Sequence, residues 1–249
     1  MKALAVVSGY FGPAVRVTVE PPGVGSPYFF ANAEETLNSA AQLGWVAIDA
    51  SAVMPLTVDA TTSSIQSKWF KFLGFLTDYP EFSDYTIIYA DHKNQLTPEV
   101  VTKLLKKSGP TARVVVRHHA EYRDDVSIEV AEALQQPRYA QNMPATIEWL
   151  DRMQKLGFQR RTRVPNTGVI LWPPTRQARD FAREVYEAIL QLGQPECQII
   201  WSIVQQKHKL AIRAIPYNSL GIRPKRHPGP VRTAIDRFVL PLRKFLGRV

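Results

Sequence analysis

Short apolar runs that stop at a charge, separated by segments of helical periodicity, constrain this chain more than any other feature. The clearest run lies at residues 85–93, Tyr-Thr-Ile-Ile-Tyr-Ala-Asp-His-Lys. Its β-branched and aromatic residues suit a strand buried on both faces, and it ends abruptly at Asp91. Residues 3–7, 45–49, 113–117, 167–172 and 210–215 are further strand candidates. Between them lie helix signals. Asn32 with Glu35 predicts a capping box opening a helix to Gln42, with Gly44 just beyond. Ser63 or Ser64 predicts the cap of a helix bearing Ile65, Trp69, Phe72, Leu73 and Leu76 on one face. Thr97-Pro98-Glu99 is a helix start, with Lys106 and Lys107 in its last turn and Gly109 after it. Residues 125–135, 144–156, 175–192 and 195–206 read as further helices. This alternation predicts an α/β fold with a mostly parallel central sheet flanked by helices.

Composition bounds the class. The chain has 249 residues, 45% hydrophobic and 21% charged, enough for a substantial core. No apolar run approaches the ~20 residues that span a bilayer. One lysine precedes the first apolar stretch, which is shorter than the ~7–15 residues of a signal-peptide core and reads as a first strand. Cys197 is the only cysteine, which excludes an internal disulfide and a cysteine-based metal site. A cytoplasmic protein is the simplest expectation.

The net charge of +9 is unevenly spread. Residues 222–249 hold eight Lys/Arg and one acid, Asp236, so this tail carries +7 and residues 1–221 only +2. Val231, Ile235, Phe238, Val239, Leu242, Phe245, Leu246 and Val249 fall on one helical stripe of the tail, and its arginines fill much of the rest. The pattern fits a basic amphipathic helix on an anionic membrane, kinked at Pro241. It fits equally a terminal helix docked on the body. Nucleic acid ranks behind both: a pI of 9.7 suits it, but no recognition module is present.

Ligands of open α/β sheets sit beyond the carboxyl ends of the strands. Asp91 stands at such an end, where a carboxylate can hold a divalent cation, Mn or Mg, and through it a diphosphate, or can simply turn the chain. Tyr10, in Ser-Gly-Tyr-Phe-Gly after the first strand, can stack on a base. Lys68 and Lys71, three apart on one helix, can meet phosphate or face solvent. The densest polar run is Arg117-His118-His119-Ala120-Glu121-Tyr122-Arg123-Asp124-Asp125. It offers a general base, a phosphate clamp or metal ligands, though without the spacing of a zinc motif, set against a loop of mutual salt bridges. In Asn166-Thr167-Gly168 the amide can bond a hydroxylated ligand and the glycine permits close approach.

In combination these pieces resemble the glycosyltransferase-like domain of the plant pollen-turgor and mucilage-related hexosyltransferase proteins, a family with bacterial members. The resemblance covers residues 3–215. It rests on Tyr10-Phe11-Gly12, on Lys68-Trp69-Phe70-Lys71, and on the strand ending in Asp91. It rests also on His119 with Arg123 and Glu129, on Gly168-Val169-Ile170-Leu171, and on Glu196-Cys197-Gln198. It implies a single Rossmann-like GT-A domain over residues 1–221 that binds a nucleotide-sugar, usually with a divalent metal at Asp91. It further implies transfer of a sugar to a hydroxyl of a cell-surface glycan or lipid-linked acceptor. Tyr10, Lys68, Lys71, Asp91, Lys93, Arg123 and Gln198 would then hold the donor. Asn166 and Gly168 would wall the acceptor, and His119, Glu121, Asp124 or Asp125 would act as base. The chain departs from the family at Asp91-His92-Lys93, where Asp-x-Asp is usual, and at residues 196–198, where only Gln198 of Arg-Asp-Gln remains. Lys93 can neutralise a diphosphate directly in place of a cation. A non-catalytic nucleotide- or glycan-binding module on the same fold is the alternative.

Overall fold

In the computed structural model of the chain, residues 3–121 and 123–222 are described. The basic tail, apart from Ile222, and Tyr122 fall outside them. The strands are β1 (Leu4–Tyr10), β2 (Ser26–Ala31), β3 (Val46–Asp49), β4 (Thr86–Ala90), β5 (Val114–His118), β6 (Pro165–Trp172) and β7 (Ile212–Ile215). They form one seven-stranded sheet in the order β3-β2-β1-β4-β6-β5-β7. Only β6 runs antiparallel to its neighbours, so the sheet is mostly parallel, as the alternation predicts.

The helices are α1 (Glu34–Gln42), α2 (Ala60–Gln66), α3 (Lys68–Lys71), α4 (Pro98–Ser108) and α5 (Val126–Ala133), followed by α6 (Pro137–Ala140), α7 (Met143–Lys155), α8 (Arg176–Leu192) and α9 (Cys197–Val204). Successive strand residues point to opposite faces, and the core divides accordingly. Ala5, Val7, Ile87, Tyr89, Val114 and Val116 pack with α3, α8 and α9 through Trp69, Phe70, Phe181, Val185 and Trp201. Val6, Ile88, Ala90 and Val115 pack on the other face with Ala40 of α1 and Val100, Val101 and Leu104 of α4. Covering both faces is what lets such strands be apolar throughout. Among the described residues, no helix is long and apolar enough to cross a membrane.

Three local expectations are corrected. The box at Asn32 and Glu35 does not form: Ala33 is the N-cap, without a side-chain bond. The Asn32 amide is drawn away, accepting from Gly12 N at 3.1 Å and donating to Met54 O at 3.0 Å. The helix expected from Ser63 to Leu76 is instead α2, α3 and a 3-10 turn, and its cap is Asp59, which accepts from Thr62 N. The break falls at Leu73, whose φ is +60°, and at Gly74, where a Cβ would lie 2.8 Å from Trp69 Cδ1. The indole can pack here only because the next turn has no side chain. Strand β2 escaped the sequence reading because Pro21, Pro22, Gly23, Gly25 and Pro27 mask its short apolar run.

The registers leave one irregularity. Val116 pairs with Ile170, but the next residue, Arg117, pairs with Asn166, so Thr167–Gly168–Val169 bulges out of the β5 ladder. Bulges re-aim side chains and cluster beside functional sites. This one turns toward the end of β4: Asp91 N donates to Gly168 O at 2.9 Å, and Asn94 Nδ2 donates to the same oxygen at 2.7 Å.

Candidate functional site

The order of the sheet reverses at β1. Strands β2 and β3 lie to one side and β4 to the other, which opens a crevice beyond the carboxyl ends of β1 and β4. A cavity of about 470 Å3 fills it. Gly9 and Tyr10 of β1, Tyr89 of β4 and Asp91 just beyond it form its floor. Helices α2 and α3 contribute Ser63, Ser67, Lys68 and Lys71, the β6 bulge Asn166, Thr167 and Gly168, and the start of α9 Glu196, Cys197 and Gln198. Gly9 has no room for a Cβ, which would sit 2.5 Å from Phe30 O and 2.9 Å from Phe70 Cε1. Gly168 is similarly tight, since a Cβ there would lie 3.0 Å from Asp91 Oδ2 and 3.1 Å from Asn94 Nδ2.

The lining is cationic. Lys68, Lys71, Lys93, Arg117 and Arg138 face two carboxylates, Asp91 and Glu196. The lysines of α3 are buried rather than solvated, Lys68 to 9% exposure and Lys71 to 5%. The reason is tertiary: Trp69 and Phe70 between them anchor α3 in the core, and Trp172 Nε1 donates to Lys71 O at 3.1 Å. Lys71 has a partner, with Nζ 3.6 Å from Asp91 Oδ1 and 5.2 Å from the Tyr89 ring centroid. The Lys68 ammonium has no hydrogen-bond or ion-pair partner among the described residues. Burial above all pushes its pKa below the ordinary lysine value, and the Lys71 charge adds to this, against the nearby acids Glu196 and Asp91.

Asp91 is 42% exposed, toward the cavity, and the buried Tyr89 hydroxyl donates to it. Burial acts to raise its pKa, but the Lys71 charge and the Tyr89 bond outweigh that and hold it below the usual carboxylate range. Arg117 is 2% exposed. Its Nη2 donates to Asn166 Oδ1 at 2.9 Å and its guanidinium lies 4.6 Å from the Tyr217 ring centroid, while Nε and Nη1 have no hydrogen-bond partner among the described residues. Tyr10 and His92 meet edge-on at 5.0 Å between centroids.

Several residues expected of the site thus come together: Tyr10, Lys68, Lys71, Asp91, Lys93, Asn166, Gly168 and Gln198 all line the cavity. The polar run after β5 does not. His119, Glu121, Arg123, Asp124 and Asp125 are absent from the lining. Arg123 is held by Glu129 and by Glu121, the latter at 2.8 Å. Asp125 caps α5, accepting from Ser127 N at 2.7 Å. His119 Nδ1 accepts from Glu121 N at 3.3 Å. The run is occupied in folding its own loop.

Arg117 closes the expected strand 113–117 and opens the polar run, and no site role of its own is expected from the sequence; its position directly after three buried valines is the signal that could have found it. Glu196 and Cys197 carried no site signal of their own. Among the described residues, no three His, Cys, Asp or Glu side chains gather as a metal cluster. Lys71 and the Tyr89 hydroxyl both meet Asp91 Oδ1, so a resident cation at this carboxylate would compete with the Lys71 ammonium.

No family model matches the chain, and no curated protein matches it. Among solved structures, CMP:2-keto-3-deoxy-manno-octonic acid synthetase complexed with CTP is similar to it, with a TM-score of 0.44 and 13% sequence identity. The similarity covers 97% of this chain and 99% of that one.

Proposed function

We propose that the cavity binds the diphosphate of a nucleotide-sugar, and that the protein transfers the sugar to an acceptor hydroxyl, as in the GT-A-like family it resembles. One observation carries this reading: two buried lysines and a buried arginine converge on a polar cavity at the point where the sheet order reverses. Burying an unpartnered ammonium is costly. An anion that supplies the missing partner explains why Lys68 is there. When the glycosyl bond breaks, negative charge develops on the leaving nucleoside diphosphate. Lys68 and Lys71, already buried at the cavity, would take up that charge. Lys93 on the rim adds to the same field. No step runs through a metal. Tyr10 would stack on the base, and Asn166 and Gly168 would meet the second substrate. The carboxylates within the cavity are Asp91 and Glu196, and one of these would take the acceptor proton.

A second reading is a module that binds a nucleotide or glycan without turnover. It is favoured by the engagement of both carboxylates: Asp91 with Lys71 and Tyr89, and Glu196 as the cap of α9, accepting from Gln198 N at 3.1 Å. Release of nucleoside diphosphate from a panel of nucleotide-sugars separates the two. The first reading expects release from one donor class, lost in Lys71→Met. Binding without release from any donor supports the second. Absence of binding across the panel sinks both.

A further inference from the structure

We propose that Cys197 is a covalent modification site inside the cavity, one that takes small anionic disulfides and, once modified, closes the cavity to its ligand. The inference rests on the reading of the cavity as an anion site, not on the identity of the nucleotide. Cys197 is the only cysteine in the chain, is 3% exposed, and opens the α9 helix. Its thiol sits 3.3 Å from Thr167 Oγ1, and the residue belongs to the cavity lining. With so little of the residue exposed, a reagent must enter past the cationic side chains to reach the sulfur.

The lone thiol is not the whole case. Lys68, nine-tenths buried and with its ammonium unpartnered among the described residues, lines the same cavity, as does Lys71. Arg117 lines the same cavity, with its buried Nε and Nη1 unpartnered among the described residues, and Glu196 is the one acid beside the thiol in sequence. Reactive cysteines occupy electropositive surroundings of this kind. Negative charge spreads over three sulfurs in the transition state of thiol–disulfide exchange, and adjacent ammonium groups stabilise it.

In the exchange, Cys197 gives its proton to water and its sulfur attacks one sulfur of the reagent. The S–S bond of the reagent breaks as a new one forms to Cys197. The departing half leaves as a thiolate and takes up a proton. Cys197 is oxidised to a mixed disulfide and the departing sulfur is reduced, so no further oxidant is needed. The retained half, carrying its own carboxylates, lies among the lysines where the ligand would sit.

The test uses the full chain, oxidised glutathione as the anionic probe and bis(2-hydroxyethyl) disulfide as the neutral one, with intact-mass readout. Each should add once, reversibly by dithiothreitol. The ratio of anionic to neutral rate should exceed that of the urea-unfolded chain by about tenfold or more at low salt. High salt and Lys68→Met should both collapse it, and pyrophosphate should protect. Equal ratios in folded and unfolded chains, or a thiol that reacts only in urea, would overturn the proposal. That comparison does not depend on the variant folding. Charge-selective modification in a chain that binds no nucleoside diphosphate upholds the thiol site while removing the nucleotide reading. Nucleotide binding with an inert thiol does the reverse.

Discussion

Replacing Lys68 by methionine should stabilise the empty protein while weakening its ligand. Lys68 is 9% exposed and lines the cavity, and its ammonium has no hydrogen-bond or ion-pair partner among the described residues, so it has lost much of its hydration without gaining an acceptor. An unsatisfied buried polar group costs about 1–3 kcal/mol. Methionine has a similar length and no charge, and removes that cost. In a chain of this size each kcal/mol moves the Tm by about 2–4 °C, so Lys68→Met should melt roughly 2–12 °C higher. The pH dependence has a definite sign. Burial, first, lowers the Lys68 pKa in the folded state, so below the ordinary lysine value the unfolded chain binds more protons. Wild-type stability therefore rises with pH through the window ending near that value, and the gap to Lys68→Met narrows. Pyrophosphate at ~100 times its dissociation constant should add ~2.7 kcal/mol to the wild type and much less to the variant. Thermal melts with and without pyrophosphate, over a range of alkaline pH, measure all three effects. A variant that melts lower and keeps the full pyrophosphate shift would refute the reasoning, because Lys68 would then be a structural residue.

Further outcomes follow from the same geometry. Gly168→Ala pushes a methyl to 3.0 Å from Asp91 Oδ2 and 3.2 Å from Asn166 Oδ1, and should cost about 1–3 kcal/mol in urea unfolding together with ligand affinity. Asn32→Ala removes the acceptor of Gly12 N and the donor to Met54 O, and should cost about 1–3 kcal/mol on the same assay. The Glu129 pKa is pushed up from 4.5 to about 7, by burial first and the Glu196 charge second, against Arg123. The folded state then holds a proton that the unfolded chain has released, so stability should fall as pH rises from 4.5 to about 7. Glu129→Gln should flatten that fall, and an unchanged pH profile would show that Glu129 does not carry it.

Much of the fold was legible because its signals are local. β4 is a five-residue apolar run, and α4 carries its cap, its proline and its terminal glycine in sequence. The site was legible in half. Tyr10 and Asp91 could be placed because strand ends are visible in sequence and ligands gather there. The burial of Lys68 and Lys71 was not visible, since periodicity predicts one long helix with both lysines on its polar side. The break at Leu73 and the anchoring of Trp69 and Phe70 are tertiary events. The polar run after β5 misled for the converse reason. Its density of charge is real, but Glu129, from the following helix, captures Arg123 and turns the run inward. The bulge at Gly168, which brings β6 against Asp91, depends on pairing across two strands and leaves only a glycine as its mark.

Calorimetric titration with the common nucleoside diphosphates and pyrophosphate tests the central claim most directly. The account predicts one-to-one binding of at least one nucleoside diphosphate, tighter than pyrophosphate, weakened by salt and lost in Lys68→Met/Lys71→Met. Absence of binding by any of them, or binding indifferent to the loss of both lysines, would contradict it.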